Sequence, residues 1–179
     1  MKCLAIGGVP ATGKTTLVKK IINILEPKHE LSFGLLKGQI VGDIAILGVY
    51  KDSEVFAGTD KLSMAVQSHF DKYKDKNHKH LLFEGDRLFT KNNLESLIKT
   101  HETKIIILEA DKETLTKRHI DRNDNQNEKF LKGRQTKINN IKNSELLKEY
   151  IEFYRLESME ESDLLAKDCC SFLLPVLSK

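Results

Sequence analysis

The sequence predicts an α/β fold, a central parallel sheet with helices on both faces, in a single domain over residues 1–179. Three features predict it. The chain opens on an apolar run, KCLAIGG, which stops in glycines and passes at once into a helix-patterned stretch, KTTLVKKIINILEP. Two more continuous apolar runs, HLLFEG (80–85) and KIIILEA (104–110), read as strands buried on both faces. Helix-patterned segments stand between these runs, and that alternation is the signature of a parallel sheet.

Taken in order, the first strand ends at Gly7 and Gly8, and the first helix carries Leu17, Ile21 and Leu25 at i, i+4, i+8 until Pro27 stops it. Residues 32–57 alternate short apolar runs with Gly, Asp and Lys-Asp turn signals. They predict two or three short strands, with a hairpin of 44–50 and 54–57 around KDSE. DKLSMAVQSHFDKYKDK (60–76) predicts a helix through Leu62, Ala65, Val66, Phe70 and Tyr73, and NNLESLIKT another. The stretch 117–142 reads as mainly helical with a polar interruption at RNDNQNE. SELLKEYIEFYRLESME reads as an amphipathic helix, and CCSFLLPVL as a last strand. No repeat, low-complexity tract or internal boundary stands out.

Composition sets the class. Of 179 residues, 40% are hydrophobic and 31% charged, as in an ordinary soluble domain large enough to bury a core. No apolar run approaches the roughly 20 residues that span a bilayer. MKCLAIGG is too short for a secretory signal, so a cytoplasmic location is expected. Three cysteines, an odd number, argue against a disulfide framework, and adjacent Cys169 and Cys170 read as small buried thiols. The six histidines show no metal-ligand spacing. The net charge of +3 is unevenly spread: residues 117–142 hold eight Lys or Arg against three Asp or Glu, and residues 143–163 hold two against seven. The basic block suits phosphates, and the acidic block suits a solvated helix face. Nothing in the sequence speaks to oligomeric state.

Gly8-Val-Pro-Ala-Thr-Gly13-Lys14-Thr15 matches G-x-x-x-x-G-K-[ST] without mismatch. Glycines let successive backbone N–H groups turn inward on phosphate oxygens, and the following helix presents its positive end to the same anion. Gly8, Pro10, Ala11, Thr12, Gly13, Lys14, Thr15 and Thr16 are therefore expected to hold a nucleoside triphosphate, ATP by default. Lys14 would sit on the β- and γ-phosphates, and the Thr15 hydroxyl on Mg²⁺. Such a site needs a carboxylate at the end of a neighbouring strand, and FEGDRL supplies Glu84 and Asp86, two apart and able to face the same way. One of them would serve the metal and the other the acceptor, with Arg87 on a substrate phosphate. Arg118 and Arg122 share a helix face at i, i+4 and are expected to stabilise charge on the transferred phosphoryl group, with Arg134 as a further contact. Together these arginines make 117–142 an arginine-bearing lid. Asp60, in AGTDKLSM, reads either as a helix cap or as an acceptor-side acid, and Asp43 either as a turn residue or as part of the acceptor wall.

These parts favour a small kinase over a switch GTPase, since N-K-x-D is absent, and over larger motor ATPases. GGVPATGKTT, FGLLKG, LGVY, VFAGTDKLSMAVQ, LLFEGDRLF and FLKGRQTK then follow one another in an order that resembles a bacteriophage family of P-loop kinases. Members of that family belong to the thymidylate-kinase-like group and act on 5-hydroxymethyluracil already incorporated in DNA. The resemblance covers roughly residues 4–140. It implies a P-loop kinase fold and phosphorylation of the base's hydroxymethyl group, which makes it a leaving group for later hypermodification. It also implies ATP on Gly8 through Thr16, an acceptor side at Asp60, Glu84, Asp86 and Arg87, DNA as partner and host cytoplasm as location. A net charge of only +3 is modest for a DNA enzyme, unless the target base is flipped or single-stranded. Two other readings remain: a kinase for free nucleosides or nucleotides, and a nucleotide-binding regulatory protein without phosphotransfer.

Overall fold

The computed structural model describes residues 1–51, 57–77, 79–121 and 128–174. β1 (Lys2–Gly7) runs into α1 (Lys14–Leu25). β2 (His29–Phe33), β3 (Leu36–Val41) and β4 (Ile44–Leu47) follow, then α2 (Gln67–Lys76), β5 (His80–Glu84), α3 (Lys91–Leu97) and β6 (Glu102–Glu109). The chain continues through α4 (Lys112–Asp121), α5 (Glu128–Lys142), β7 (Ile151–Arg155) and α6 (Met159–Leu173). Among the described residues no helix is long and apolar enough to cross a membrane.

The strands form one mixed sheet in the order β2-β3-β4-β5-β1-β6-β7. The expected parallel core holds from β4 to β7, with β1 at its centre between β5 and β6. At one edge the short strands expected within 32–57 are antiparallel: β2 pairs antiparallel with β3, and β3 with β4. The links are too short for anything else. Gly34 (φ 59) and Gly42 (φ 53) turn the chain back within two residues, whereas a parallel crossover needs a dozen or more. Of the anticipated hairpin, 44–47 pairs instead with β3, and most of its second strand lies outside the described residues. A single antiparallel bridge joins Val49 to Gly58.

Both faces of the sheet are covered, as the pattern predicted. Cys3, Ala5, Leu81, Phe83, Ile105 and Ile107 face a core closed by α2, α3 and α5. Leu4, Ile6, Leu82, Ile106 and Leu108 face α1 and α6. The helix expected over 60–76 begins only at Gln67. Thr59–Lys61 is a 3-10 turn and Leu62 is extended; of the expected apolar face Leu62, Val66, Phe70 and Tyr73 are buried, while Ala65, before the helix begins, is exposed.

The C-terminal third corrects two expectations. The amphipathic helix predicted over 144–160 is a turn followed by β7. Ile151 and Tyr154 pack into opposite cores, and β7 takes the free edge of β6 from Ile105 to Glu109. The β-branched and aromatic residues Ile151, Phe153 and Tyr154 suit a strand, and the free edge of β6 outweighs the helical spacing. The last strand predicted over 169–177 is, up to Leu173, part of α6. Ser162, Leu165, Ala166, Cys169, Cys170 and Leu173 recur at helical spacing on its buried face. A capping box starts it: the Ser158 hydroxyl accepts the Glu161 N–H at 3.1 Å, and the Glu161 carboxylate accepts the Ser158 N–H at 3.2 Å.

His101 sits at the foot of β6, only 6% exposed, with Nδ1 2.8 Å from the Thr100 hydroxyl and a buried Nε2 that has no partner. Burial, helped by the positive charges of the N-terminus and Lys74, lowers its pKa to about 4. In the unfolded chain the same group titrates near ~6.5. Below that value the unfolded state takes a proton that the folded state refuses, so this term destabilises as pH falls from ~6.5 towards 4. Urea midpoints followed from pH 7.5 to 4 are expected to fall more steeply for the native protein than for His101→Gln. Parallel slopes would show that His101 is not the titrating group.

Candidate functional site

The loop after β1 closes tightly. Gly8 has φ 141, and a Cβ there would lie 2.4 Å from the Leu108 carbonyl oxygen, so only glycine fits against β6. Ala11 (φ 65) and Gly13 (φ 100) are also left-handed. Inside the loop, the Thr12 hydroxyl and the Lys14 ammonium both donate to the Val9 carbonyl, at 2.9 and 2.8 Å. The N-cap of α1 is Gly13, so no side chain covers the first-turn amides. The residue sequence thus places a glycine loop, a helix N-terminus without a side-chain cap and one lysine at the carboxyl end of the central strand.

Glu84 ends β5 beside this loop and is 2% exposed. Its Oε1 accepts the Thr15 hydroxyl at 3.0 Å. Burial pushes its pKa up to about 7, against the pull of Lys14 and of the Thr15 hydrogen bond. Gly58 (φ 78) presses on the same carboxylate: a Cβ there would lie 2.3 Å from Oε1. The Val49–Gly58 bridge holds that contact in place.

Asp60 is not a helix cap. Its Oδ1 accepts the Asp86 N–H at 2.7 Å, tying the two loops together. Loss of water around the carboxylate raises its pKa, as does the charge of Asp86, while Arg134 and Lys14 oppose the shift. Asp86 itself is occupied: Arg134 Nη1 lies 2.6 Å from Oδ2 and Lys137 Nζ 3.5 Å from Oδ1. Lys137 also donates to the Asp86 carbonyl at 2.6 Å, and the Arg134 guanidinium stacks 4.5 Å from the centre of the Phe130 ring. Ile138 and Ile141, in the second half of α5, anchor this helix in the core, and the partly buried Arg134 and Lys137 just before them carry the grip.

The structure therefore brings Lys14, Thr15, Asp60, Glu84, Asp86 and Arg134 of the predicted set to one end of the sheet. Arg87 follows directly on Asp86, and its Nε is buried without a partner. Arg118 stands elsewhere on the loop. Its guanidinium donates to the Ala11 carbonyl at 3.1 Å and the Leu156 carbonyl at 3.4 Å. It lines a cavity of about 280 Å³ with Thr12, Thr16, Leu156, Ser158 and Ser162. Arg122 lies outside the described residues. Asp43 is at the wrong end of the sheet for the acceptor wall. It turns β3 into β4, its carbonyl accepts the His80 N–H at 2.7 Å, and its carboxylate pairs with Lys79 at 3.4 Å. The β4–β5 register puts that end opposite Glu84.

Two residues went unread in the sequence. Lys137 gave no signal beyond its place one helical turn after Arg134. Tyr50, just past the carboxyl end of β4, lies in the field of Glu84 and Asp60. Burial first, and then those charges, push its hydroxyl well above the ordinary tyrosine range.

No protein-family model matches the chain, and no curated protein matches it. Solved structures do. An uncharacterized protein from Eubacterium ventriosum is similar with a TM-score of 0.52 at 13% identity, covering 96% of this chain and 99% of that one. That likeness concerns the fold. YorR from Bacillus subtilis, crystallised in complex with phosphorylated GDP, is similar with a TM-score of 0.46 at 17% identity, over 94% of this chain and 93% of that one.

Proposed function

We propose that this protein is an ATP-dependent kinase that transfers the γ-phosphoryl group to the hydroxymethyl group of 5-hydroxymethyluracil in DNA. The observation that carries the phosphotransfer reading is the Thr15–Glu84 hydrogen bond at the mouth of the Gly8–Thr16 loop, with Asp60 a short way across. A phosphate cradle, a hydroxyl–carboxylate pair and a separate acid are the parts that phosphoryl transfer requires. The acceptor rests on the ordered resemblance from GGVPATGKTT to FLKGRQTK.

The roles follow from position. The loop amides and Lys14 hold the phosphates, and Lys14 leaves the Val9 carbonyl to do so. Thr15 and Glu84 are hard oxygen donors and fit Mg²⁺, which takes one or two protein oxygens and fills its shell with phosphate and water. When bound, Mg²⁺ neutralises charge on the β- and γ-phosphate oxygens. Asp60 orients the acceptor hydroxyl and takes its proton. Asp86 is engaged by two cations and serves to position α5. The cavity beside Arg118 receives the nucleotide base. A free nucleotide is the second reading, favoured by the net charge of +3. A binding protein without transfer would use the Thr15–Glu84 pair for Mg²⁺ but would have no need of Asp60.

The test is transfer of labelled γ-phosphate from Mg²⁺-ATP to ordinary DNA, DNA containing 5-hydroxymethyluracil, and free nucleosides and nucleotides. Label on the modified DNA alone is expected. Label only on a small molecule would replace the acceptor, and no label with ATP still bound would remove the kinase reading.

A further inference from the structure

We propose that Asp86 is a placeholder for a phosphate: in the unliganded protein it occupies a cationic site, formed by Arg134 and Lys137, that takes a phosphate group of the acceptor. The proposal deepens the kinase reading and rests on it for the word acceptor, while the anion site itself is argued from geometry alone.

Arg134 and Lys137 stand one helical turn apart on α5 and converge on one carboxylate, at 2.6 and 3.5 Å. The grip is incomplete. Arg134 uses Nη1 on Asp86, but its Nε–H is buried and has no partner. A guanidinium fork is fully used only by an anion that offers two oxygens in its plane. Arg87, directly after Asp86, also has a buried Nε–H without a partner. Thr59 is wholly buried, and its hydroxyl, unpartnered as well, lies where a side chain on Gly85 would come within 2.8 Å of it. So three of the polar side-chain atoms left unsatisfied among the described residues belong to Thr59, Arg87 and Arg134, around the turn that carries Asp86. Buried donors without acceptors are costly, and a site that gathers several is short of acceptor oxygens. A phosphate monoester supplies three terminal oxygens spread over a tetrahedron, where the Asp86 carboxylate supplies two in one plane and meets Arg134 through one of them.

Asp86 is also positioned to let go. Its backbone stays fixed by the Asp60 carboxylate on its N–H and by Lys137 on its carbonyl, so its side chain can rotate out without moving the turn. A phosphate then replaces the Asp86 carboxylate at α5, and the first half of that helix is drawn onto the acceptor.

Three ligands separate the sources of the anion: inorganic phosphate, thymidine 5′-monophosphate and a short single-stranded oligothymidylate, with thymidine as the uncharged control. Each is titrated calorimetrically into the native protein and into Asp86→Asn, Arg134→Gln and Lys137→Gln. Binding of a non-hydrolysable ATP analogue and thermal melting are followed in the same samples. Removing an internal competitor raises apparent affinity by the fraction it withheld, so Asp86→Asn is expected to bind the phosphate ligands about tenfold tighter. Arg134→Gln and Lys137→Gln are expected to bind them more weakly, and thymidine to be indifferent to all three. Preference for the monophosphate marks a free nucleotide acceptor, and preference for the oligonucleotide marks DNA. Unchanged or weaker binding by Asp86→Asn overturns the proposal, as does equal affinity for thymidine and its monophosphate. If Asp86→Asn does not fold, Asp86→Ser is the substitute, and the comparison of native protein with Arg134→Gln decides the same point. Tighter phosphate binding by Asp86→Asn, with no phosphotransfer by the native protein, would sink the kinase reading and leave the anion site standing. Phosphotransfer without that gain would do the reverse.

Discussion

Lys14→Ala is expected to reduce phosphotransfer by about 10³-fold or more while leaving the fold intact, because one positive charge preorganised on a transferring phosphoryl group is worth several kcal/mol in a desolvated site. The fold should tolerate it. Lys14 is the first residue of α1, where alanine is the best helix former, and the hydrogen bond it gives up is to the Val9 carbonyl within its own loop. Thr12 still donates to that carbonyl at 2.9 Å. The measurement is kcat and KM for ATP beside a thermal melt. A folded Lys14→Ala protein with near-normal kcat would remove the mechanism, whatever the acceptor turns out to be.

Asp60→Asn should cost about 10²- to 10⁴-fold in kcat, the range for a general base, with little change in KM for ATP. The substitution is informative because it leaves the architecture alone. Asparagine keeps an oxygen for the Asp86 N–H, so the tie between the two loops survives. Charge is what disappears. The raised pKa of Asp60, caused by lost hydration and by the charge of Asp86, makes it a better proton acceptor than an ordinary aspartate. Asp86 is held by Arg134 and Lys137 instead. Normal kcat in Asp60→Asn would reassign Asp60 to the loop tie alone.

How much of this was legible depends on what each element answers to. β1, β5 and β6 are buried on both faces, so their continuous apolar runs admitted one reading. The glycine loop was legible because its backbone conformation restricts residue choice at each special position. β7 is an edge strand with one neighbour, and its mixed EYIEFYR pattern suits either period. Only the free edge of β6 decides it. α6 was more legible than it was read: Ser158-x-x-Glu161 before an apolar run is a capping-box signature, and Ser162, Leu165 and Cys169 continue it at helical spacing. The site divides in the same way. Glu84, Thr15 and Lys14 follow from strand ends and motif spacing. That Asp86 pairs with Arg134, and that Lys137 joins it, depends on how α5 packs through Ile138 and Ile141, which no local pattern encodes. Arg118 went to the cavity under Leu156 because β7 returns the chain there, and the strand had been read as helix.

The three cysteines turn the fold into its own reporter. Cys3 lies inside the central strand, and Cys169 and Cys170 lie on the buried face of α6. All are buried, and burial pushes their thiols up, to about 12 for Cys169 and about 11 for Cys170. At neutral pH an alkylating reagent meets neither a thiolate nor an accessible sulfur until the backbone opens. Modification rates in the native state therefore time that opening, and mass spectrometry resolves it by position. Fraying of α6 exposes the vicinal pair first, while Cys3 reacts only when the sheet itself comes apart. If all three react together, the terminal helix and the sheet form one cooperative unit.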